Sequence, residues 1–511
     1  MGSYMIGLDQ STQGTKAILF NDLGNIVYKH ARSHTQLIND QGWVSHDLDE
    51  IYGNVIQLIN DLVEHSHVPV RDIAGVGISV QRETAAAWAR DTGNSLANAI
   101  VWQDVRAAAI TNQLTDAADK VKAKTGLPLS PYFTAAKFAW LLQNVPAVKQ
   151  AADTGNLCLG TMDSWLLYRL TRGQAFKTEP SNASRTQLLN IHTVAWDAQL
   201  CQLFGVPQDA LAAVVSSNAL FGKTTFDGIL PQPIPIHCML GDSQAALYGH
   251  GCTAPGDVKA TIGTGSSVMM NIGDQPIQSA DVVASIGWRI NGRTAYVAEG
   301  NINYAGAVIK WLTEDVQLIQ SAAEAEPLAR QAVAADQTYL IPAFSGLGAP
   351  YWDATATATL TGMTRTTGRA EIIRAALDSI AYQISDILAA IDQKAGQPAT
   401  TLKVDGGVTA NSYLMQFLSN IANVTVSVPD IEELSAFGVA YCAGRALTVY
   451  GQLKLNTVLN YHHYRNAIDD DQRQNLLAGW HRAVRGVCHE EAAPRNHNNR
   501  HQDNLMTAAK S

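Results

Sequence analysis

Apolar and polar positions along the chain form blocks that predict strands and helices in alternation. The run Ile73–Val80 is almost entirely apolar, as in a strand buried on both faces of a parallel sheet. Apolar residues recur at helical spacing on both sides of it, which predicts helices over Asp49–His65, Asp104–Thr115 and Ala135–Val145. A second strand is predicted at Ile234–Leu240, followed by a polar loop over Gly241-Asp242-Ser243. This pattern favours an α/β fold, in which ligands bind in the loops that follow the strands.

The second half of the chain repeats this plan from about Gly256 onward. It begins with a predicted hairpin and then alternates strands and helices. The predicted strands are Thr294–Ala298, Thr338–Pro342, Thr401–Val404 and Val424–Val428, and the predicted helices are Ala305–Leu312, Ala370–Lys394 and Ser412–Ala422. We therefore predict two α/β domains, at residues 1–247 and 248–488. The polar, aperiodic tail 489–511 is predicted to be disordered.

Two glycine- and threonine-rich turns are the most informative local features. They are Gly7–Lys16 and Ala260–Ser267, and each lies between two β-prone runs. Each predicts a hairpin whose tip offers backbone NH groups and hydroxyls to a ligand. Because small residues let a phosphate approach the backbone, such tips bind anions. Two of them in one chain predict two similar domains that hold one polyphosphate, as in a phosphotransferase or an ATPase.

Composition limits the partners. The 511-residue chain has a formal net charge of −9 with both signs mixed, which argues against nucleic acid or an anionic membrane as the main partner. Its six cysteines are scattered, the pattern of reduced thiols in a cytoplasmic protein. No signal peptide and no apolar run of about 18 residues is evident. We predict a cytoplasmic protein, without membrane insertion, that handles a small anion.

Charged residues follow two predicted strands at their C-terminal ends. Arg82 and Glu83 come just after Val80, and Asp242 comes just after Ile234–Leu240. Taken alone, Arg82 and Glu83 are compatible with a surface ion pair, and Asp242 with a turn-forming aspartate. An arginine beside a glutamate can also hold the hydroxyls of a polyol through charge-assisted hydrogen bonds. The double glycine in Val404–Asn411 similarly suits a flat ring or a phosphate at a helix start.

Taken in order, these and further segments resemble the FGGY carbohydrate kinases, and within that family most closely the glycerol kinases. The matching segments are Gln81–Thr84, Val101–Gln103, Tyr132–Trp140, Asn182–Thr186, Gly241-Asp242, Gly263–Gly265, Phe344–Asp353 and Val404–Gly407. The resemblance runs from residue 4 to about residue 486. It implies an α/β fold of two actin-like, ribonuclease H-type domains around a central cleft. It also implies ATP with Mg²⁺.

The resemblance further implies roles for individual residues. Asp242 corresponds to the general base for the attacking hydroxyl, and Asp9 to the residue near Mg²⁺. The implied substrate-binding residues are Arg82, Glu83, Trp102, Tyr132, Asp242, Ser243 and Ser267. The implied nucleotide- and phosphate-binding residues are Thr12, Lys16, Thr264, Gly306, Lys310, Gly407 and Asn411. The expected activity is transfer of a phosphoryl group from ATP to a hydroxyl of a small sugar or polyol.

Three positions depart from the pattern of the glycerol kinases. Ser243 stands where those enzymes commonly carry Gln, Ser267 where they carry Phe, and Lys16 where they carry Arg. Loss of an aromatic wall and of a long amide is expected to enlarge the pocket and to make it more polar. Our first hypothesis is therefore a substrate larger than glycerol, such as a tetritol, a pentitol or a ketopentose. The segment Trp102–Arg106 also resembles its counterpart in pentulose kinases.

Other functions stay open on the sequence alone. A true glycerol kinase that forms glycerol 3-phosphate is compatible with the intact set Arg82, Glu83, Tyr132 and Asp242. A xylulokinase-like pentulose kinase is a further alternative within the family. An actin-like ATPase without a metabolite acceptor belongs to a different class, and it would have no use for a polyol pocket. The sequence also leaves a homo-oligomer open.

Overall fold

The computed structural model describes residues 3–451, 453 and 455–488. The tail 489–511, predicted to be disordered, lies outside the described residues. In the first half the strands are β1 Tyr4–Gln10, β2 Gly14–Phe20, β3 Ile26–Ser33, β4 Gln36–Ile38, β5 Val44–His46, β6 Ile73–Val80, β7 Ala86–Ala89, β8 Ala99–Ile100, β9 Leu157–Gly160, β10 Lys177–Thr178, β11 Leu189–Asn190, β12 Ala195–Trp196, β13 Ala213–Val214, β14 Leu220–Thr224 and β15 Ile234–Gly241. The helices are α1 Leu48–His65, α2 Ala108–Gln113, α3 Ala118–Thr125, α4 Thr134–Asn144, α5 Pro146–Asp153, α6 Met162–Leu170, α7 Pro180–Ala183, α8 Ala198–Phe204 and α9 Asp242–Gly249.

The second half has the same alternation. Its strands are β16 Val258–Ile262, β17 Ser266–Gly273, β18 Val283–Ile290, β19 Arg293–Ile302, β20 Tyr339–Ile341, β21 Thr359–Thr361, β22 Thr401–Asp405, β23 Thr425–Pro429 and β24 Tyr461–Tyr464. Its helices are α10 Gly306–Lys310, α11 Ala325–Ala329, α12 Arg369–Ala395, α13 Ser412–Ala422, α14 Leu434–Ala446, α15 Leu455–Val458 and α16 Asp470–Arg485. The predicted elements of this half are present with end shifts of a few residues. The largest differences are the extension of β19 to Ile302 and the end of α10 at Lys310.

Two large sheets carry the fold, and they share a core of five strands, β15-β6-β1-β2-β3 in the first and β23-β22-β16-β17-β19 in the second. The first has the strand order β14-β15-β6-β1-β2-β3, and the second β18-β19-β17-β16-β22-β23-β24. In the first, β1 pairs antiparallel with β2 and parallel with β6, which pairs parallel with β15. In the second, β16 pairs antiparallel with β17 and parallel with β22, which pairs parallel with β23. Both predicted hairpins are therefore present, each in the same place within its sheet.

Two helices lie between the sheets and join the halves. These are α9 and α14; α14 belongs to the second half of the chain, yet it packs on the first sheet. A Cβ at Gly7 would collide with the Ala436 carbonyl, and one at Gly77 with the Val439 carbonyl. A Cβ at Gly438 would likewise collide with the backbone of α9. These glycines are required for close approach, and a hydrophobic core built from both halves results.

Two elements differ from the sequence-based expectation. The predicted polar loop at Gly241-Asp242-Ser243 is wrong, because Asp242 is the first residue of α9. A carboxylate is favourable there, since the helix dipole places partial positive charge at the N-terminus. The helix predicted over Asp104–Thr115 is shorter in the structure, where only α2 is helical. Asp104 accepts hydrogen bonds from the Val44 NH at 2.5 Å and from Arg106 Nη2 at 2.8 Å, and so forms a turn instead.

Among the described residues, no helix combines the length and the apolar character that crossing a bilayer requires.

Candidate active site

The C-terminal ends of β6 and β15 bring three predicted residues together. These strands are parallel neighbours, with Gly241 beside Val80. Arg82 leaves the end of β6 and lies with its Nε 3.3 Å from Asp242 Oδ1. Gly241 makes room for it, because a Cβ there would lie 2.8 Å from the Arg82 Cγ. The adjacency of the two strands thus places a cation directly against the predicted base.

Glu83 is held in an unusual conformation beside Arg82. Its φ is 60°, in the left-handed region, and Thr134 donates to its carbonyl at 3.1 Å. The Glu83 carboxylate accepts a hydrogen bond from Nε of Arg185, and both side chains are buried. Left-handed backbone at a glutamate costs energy, so the surrounding contacts must hold it. The contacts with Thr134 and Arg185 thus fix the position of the Glu83 carboxylate.

Aromatic rings form another wall of the same site. Trp102 and Tyr132 lie with ring centroids 5.5 Å apart, and Trp102 Nε1 donates to Thr12 Oγ1 at 2.9 Å. Fully buried Lys137 donates to the Pro131 carbonyl at 2.9 Å and to the Tyr132 carbonyl, which fixes the loop that bears the tyrosine. Burial raises the pKa of Tyr132, so its hydroxyl keeps its proton. The structure therefore brings Thr12 into contact with the substrate set rather than leaving it at an isolated tip.

The two serines that depart from the glycerol kinase pattern, Ser243 and Ser267, each contact a carboxylate of this site. The backbone NH of Ser243 donates to Asp242 Oδ1 at 2.6 Å. Ser267 Oγ donates at 2.9 Å to Oε1 of Glu299. Ser267 therefore places a hydrogen-bonded hydroxyl where the glycerol kinase pattern has a phenylalanine ring.

Sequence reasoning missed two charged residues of this site, Glu299 and Arg185. Glu299 lies in β19 and is completely buried, and neighbouring guanidinium groups hold the pKa of its carboxyl well below its usual range. Arg185 falls within a segment quoted for the family resemblance, but no role was assigned to it. The available signal was a glutamate directly after the apolar run Tyr296–Ala298, because a charge in a buried strand requires a partner.

The first hairpin places Asp9 next to the predicted base. Asp9 accepts from Ser79 Oγ at 2.8 Å, and burial together with the nearby Asp242 carboxylate raises the pKa of Asp9 to about 6. The Asp9 carboxylate fits Mg²⁺, which binds proteins through one or two carboxylates and takes phosphate and water oxygens as its other ligands. Within the described part of the chain, no cluster of three or more metal-ligating side chains exists.

Lys16, predicted to line the phosphates, has another partner in this structure. Its Nζ lies 2.7 Å from Oε2 of Glu433, which precedes α14, and Lys29 lies 3.7 Å from the other oxygen. The Lys16 side chain remains 44% exposed. Contact with a phosphate therefore requires Lys16 to exchange or share this partner.

The predicted nucleotide residues meet in a separate cavity of about 640 Å³ in the second half. Gly306, Lys310, Gly407 and Asn411 all line it, together with apolar groups that suit a flat ring. The second hairpin adjoins it, since the Thr264 carbonyl accepts from the Ala305 and Ala307 NH groups at 3.0 Å. Asn411 Oδ1 caps α13 by accepting the Leu414 NH at 2.9 Å. Asn411 thus supports the cavity wall as well as lining it.

One helix joins the two sites. Helix α9 begins at Asp242 and ends at Gly249, and the next residue, His250, lies with its Nε2 2.9 Å from Asp405 Oδ2. Burial lowers the pKa of His250. Asp405 directly precedes Gly406 and Gly407 at the nucleotide cavity. The base and the glycine loop are thus held in a fixed relation.

Gly407→Val is expected to raise the KM for ATP about tenfold without loss of stability. A Cβ at Gly407 would meet nothing within 4 Å, so the protein itself does not need glycine there, whereas a ligand in the cavity does. The control is Gly406→Ala: φ at Gly406 is +101° and its Cβ would collide with the Ile262 carbonyl, so this variant should lose stability. Steady-state kinetics and thermal melts separate the two effects. An unchanged KM in Gly407→Val would place the nucleotide elsewhere.

Comparisons with known proteins find relatives along nearly the whole chain. Residues 4–249 match the FGGY family of carbohydrate kinases, N-terminal domain, and residues 258–447 match its C-terminal domain. Glycerol kinase 1 of Thermotoga maritima is 41% identical over 95% of this chain and 100% of its own length. Glycerol kinase of Chromobacterium violaceum is 43% identical over 94% of this chain and 97% of its own.

Solved structures agree as well. Plasmodium falciparum glycerol kinase with ADP superposes with a TM-score of 0.89 at 32% identity, covering 96% of this chain and 99% of that one. Ligand-bound xylulose kinase from Lactobacillus acidophilus gives a TM-score of 0.85 at 22% identity, covering 96% and 99%, and supports the fold alone. The predicted fold of two actin-like, ribonuclease H-type domains is confirmed.

Proposed function

This chain belongs to the FGGY family of carbohydrate kinases and is an ATP-dependent phosphotransferase that acts on a hydroxyl group, and we propose that the hydroxyl is that of glycerol. The observation that carries this proposal is the cluster of Arg82, Glu83, Trp102, Tyr132 and Asp242 at the ends of β6 and β15. Near-full-length relatives that are named glycerol kinases support it. It replaces the first hypothesis of a larger substrate as the main proposal.

The proposed mechanism uses charge and position. Arg82 and Glu83 hold the acceptor hydroxyls, Trp102 and Tyr132 pack on its carbon chain, and Asp242 accepts the proton of the attacking hydroxyl. Phosphoryl transfer passes through a loose transition state, so alignment and charge neutralisation supply most of the catalysis. When bound, Mg²⁺ would neutralise phosphate oxygens, and Asp9 would hold it. Closure of the cleft excludes water, which otherwise competes as an acceptor.

A larger polyol or ketopentose is the second candidate, and Ser267 is the observation that favours it. A serine side chain occupies less volume than the phenylalanine of the glycerol kinase pattern, and its hydroxyl lies at the pocket with Glu299 as partner. Such a position can bind one more substrate hydroxyl. The segment Trp102–Arg106, by contrast, gives little support. Its Asp104 and Arg106 pair with each other at 2.8 Å and with β5, so they shape the loop that bears Trp102.

In an ATP-coupled assay across glycerol, tetritols, pentitols and ketopentoses, we expect glycerol to give the highest kcat/KM by about tenfold or more. One methylene more or less in a hydrophobic pocket is worth about 1–3 kcal/mol, or roughly 10- to 200-fold in rate, and we expect an added hydroxymethyl group to matter at least as much. Ser267→Phe serves as the matched variant, since it restores the aromatic wall. If a longer polyol is preferred and Ser267→Phe shifts the preference to glycerol, the second candidate replaces the first. ATP hydrolysis that needs no polyol would favour the actin-like ATPase.

The proposal also covers the location of the protein in the cell and its division into domains. We propose a cytoplasmic protein, on the ground that all six cysteines are free thiols. We also propose a division into residues 1–247 and 248–488, supported by the two matching sheets and the two family segments. The proposed boundary falls inside α9, which belongs structurally to both sides of the cleft.

A further inference from the structure

A buried cluster of charged side chains lies behind the acceptor residues, and the proposed mechanism uses neither its carboxylate Glu299 nor Arg185. At its centre is Glu299, which is 0% exposed. Arg82 contacts it with both terminal nitrogens, Nη2 to Oε1 at 2.9 Å and Nη1 to Oε2 at 3.1 Å. Arg185 Nη1 lies 2.9 Å from Oε2. One carboxylate thus binds two guanidinium groups and keeps them side by side.

The same arginines face the predicted pocket with their remaining nitrogens. Arg82 Nε lies 3.3 Å from Asp242 Oδ1, and Arg185 Nε donates to Glu83. Each arginine therefore lies between Glu299 and one carboxylate of the pocket. Because a guanidinium group is planar and rigid, fixing its Nη edge also fixes the direction of its Nε. The position of Glu299 determines how both arginines meet Asp242 and Glu83.

The cluster is assembled from both halves of the chain. Arg82, Glu83 and Arg185 precede the proposed boundary, whereas Glu299 lies in β19 of the second sheet. The neighbouring strand β17 supplies Ser267, whose hydroxyl donates to Glu299 Oε1 at 2.9 Å. The second half thus contributes the anchor, and the first half contributes the groups that it anchors.

We propose that Glu299, held by Ser267, is a positioning residue of the acceptor pocket, which directs Arg82 onto Asp242 and Arg185 onto Glu83 and so makes the pocket complete only when the two halves are packed together. This role rests on the proposed function, in that the acceptor is held by these residues. Without the Glu299 charge, two buried guanidinium groups lose their shared counterion. Nothing then fixes the Nη edges of Arg82 and Arg185, so the directions in which they meet Asp242 and Glu83 are lost and the acceptor hydroxyls lose aligned partners.

The test is Glu299→Gln, which keeps the size of the side chain and removes its charge. We expect the KM for the acceptor to rise about 10- to 100-fold, the range for a lost hydrogen bond to a charged group, while the KM for ATP changes less than about twofold. Ser267→Ala removes one hydrogen bond to Glu299 and should shift the acceptor KM in the same direction by about 2- to 10-fold. The control is Glu371→Gln, a buried glutamate that instead caps α12 through the Gly368 NH at 2.9 Å.

Steady-state kinetics with both substrates varied decide the outcome. An acceptor KM equal to that of the wild type in Glu299→Gln overturns the proposal, and so does an equal loss of acceptor and ATP affinity. If Glu299→Gln does not fold, an unchanged acceptor KM in Ser267→Ala overturns it. The acceptor used is whichever polyol gives the highest kcat/KM with the wild type. If that polyol is not glycerol, the proposed function fails while the role of Glu299 is still measured.

Discussion

Asp242→Asn is expected to lower kcat by about three orders of magnitude, within the 10²- to 10⁴-fold range that a general base contributes. The amide keeps the shape of the side chain and can still accept a hydrogen bond, but it cannot take the proton of the attacking hydroxyl. Asp242 is suited to that task, because it starts α9, adjoins Arg82 at 3.3 Å and keeps 33% of its side chain exposed. The measurement is phosphorylation of the acceptor under saturating ATP.

Nucleotide binding separates a lost base from a damaged fold. ATP affinity by calorimetry should stay within about twofold of the wild type, because the nucleotide cavity is lined by residues of the second half. The matched control is Asp227→Asn, an aspartate that accepts from Tyr52 at 3.0 Å and pairs with Arg172 at 3.7 Å outside the cleft residues. It should retain kcat. A variant Asp242→Asn that keeps more than a tenth of wild-type kcat would show that the base assignment is wrong.

The fold was predictable where the signal is local. The run Ile73–Val80 is apolar at almost every position, and it forms β6, the strand flanked by parallel neighbours on both sides. The hairpins at Gly7–Lys16 and Ala260–Ser267 follow from small residues between β-prone runs. Helix α13 has the predicted bounds Ser412–Ala422. Each of these signals lies within one short stretch of sequence, where periodicity and turn chemistry are sufficient.

Features that depend on distant contacts were not predictable in this way. Helix α14 is apolar on most sides and packs on the first sheet and on α9. Its own sequence does not indicate which elements it packs on. Asp104 could have continued a helix, yet its bond to the Val44 NH produces a turn. In both cases tertiary contacts override local preference.

The candidate site shows the same division. The family resemblance assigned expected ligand-binding roles, and the structure brings Arg82, Trp102, Tyr132 and Asp242 into one cluster. It did not assign Glu299, which acts on those residues from behind. Support of this kind is visible only once the strands are placed side by side.

Arg185→Met is expected to lower the free energy of unfolding by about 3–5 kcal/mol at pH 7, the usual cost of removing one partner from a buried ion pair. Arg185 is 1% exposed and lies against both Glu83 and Glu299, so its loss leaves two carboxylates short of positive charge. Arg82 compensates Glu299 only in part. The measurement is urea unfolding followed by fluorescence and circular dichroism, whose coincidence verifies a single transition.

The pH dependence of stability and a surface variant show whether the loss of stability in Arg185→Met comes from the buried ion pairs. The arginines lower the pKa of Glu299 from its ordinary 4.5, so the pairing stabilises the folded state above that pH and is lost as the pH falls below it. The difference between wild type and Arg185→Met should therefore be largest at neutral pH and shrink below about pH 4.5. Arg71→Met removes an arginine that is 80% exposed and 4.0 Å from Asp72, and it should change stability by less than about 1 kcal/mol. If Arg185→Met is no less stable than Arg71→Met, the buried cluster contributes nothing to the joining of the two halves.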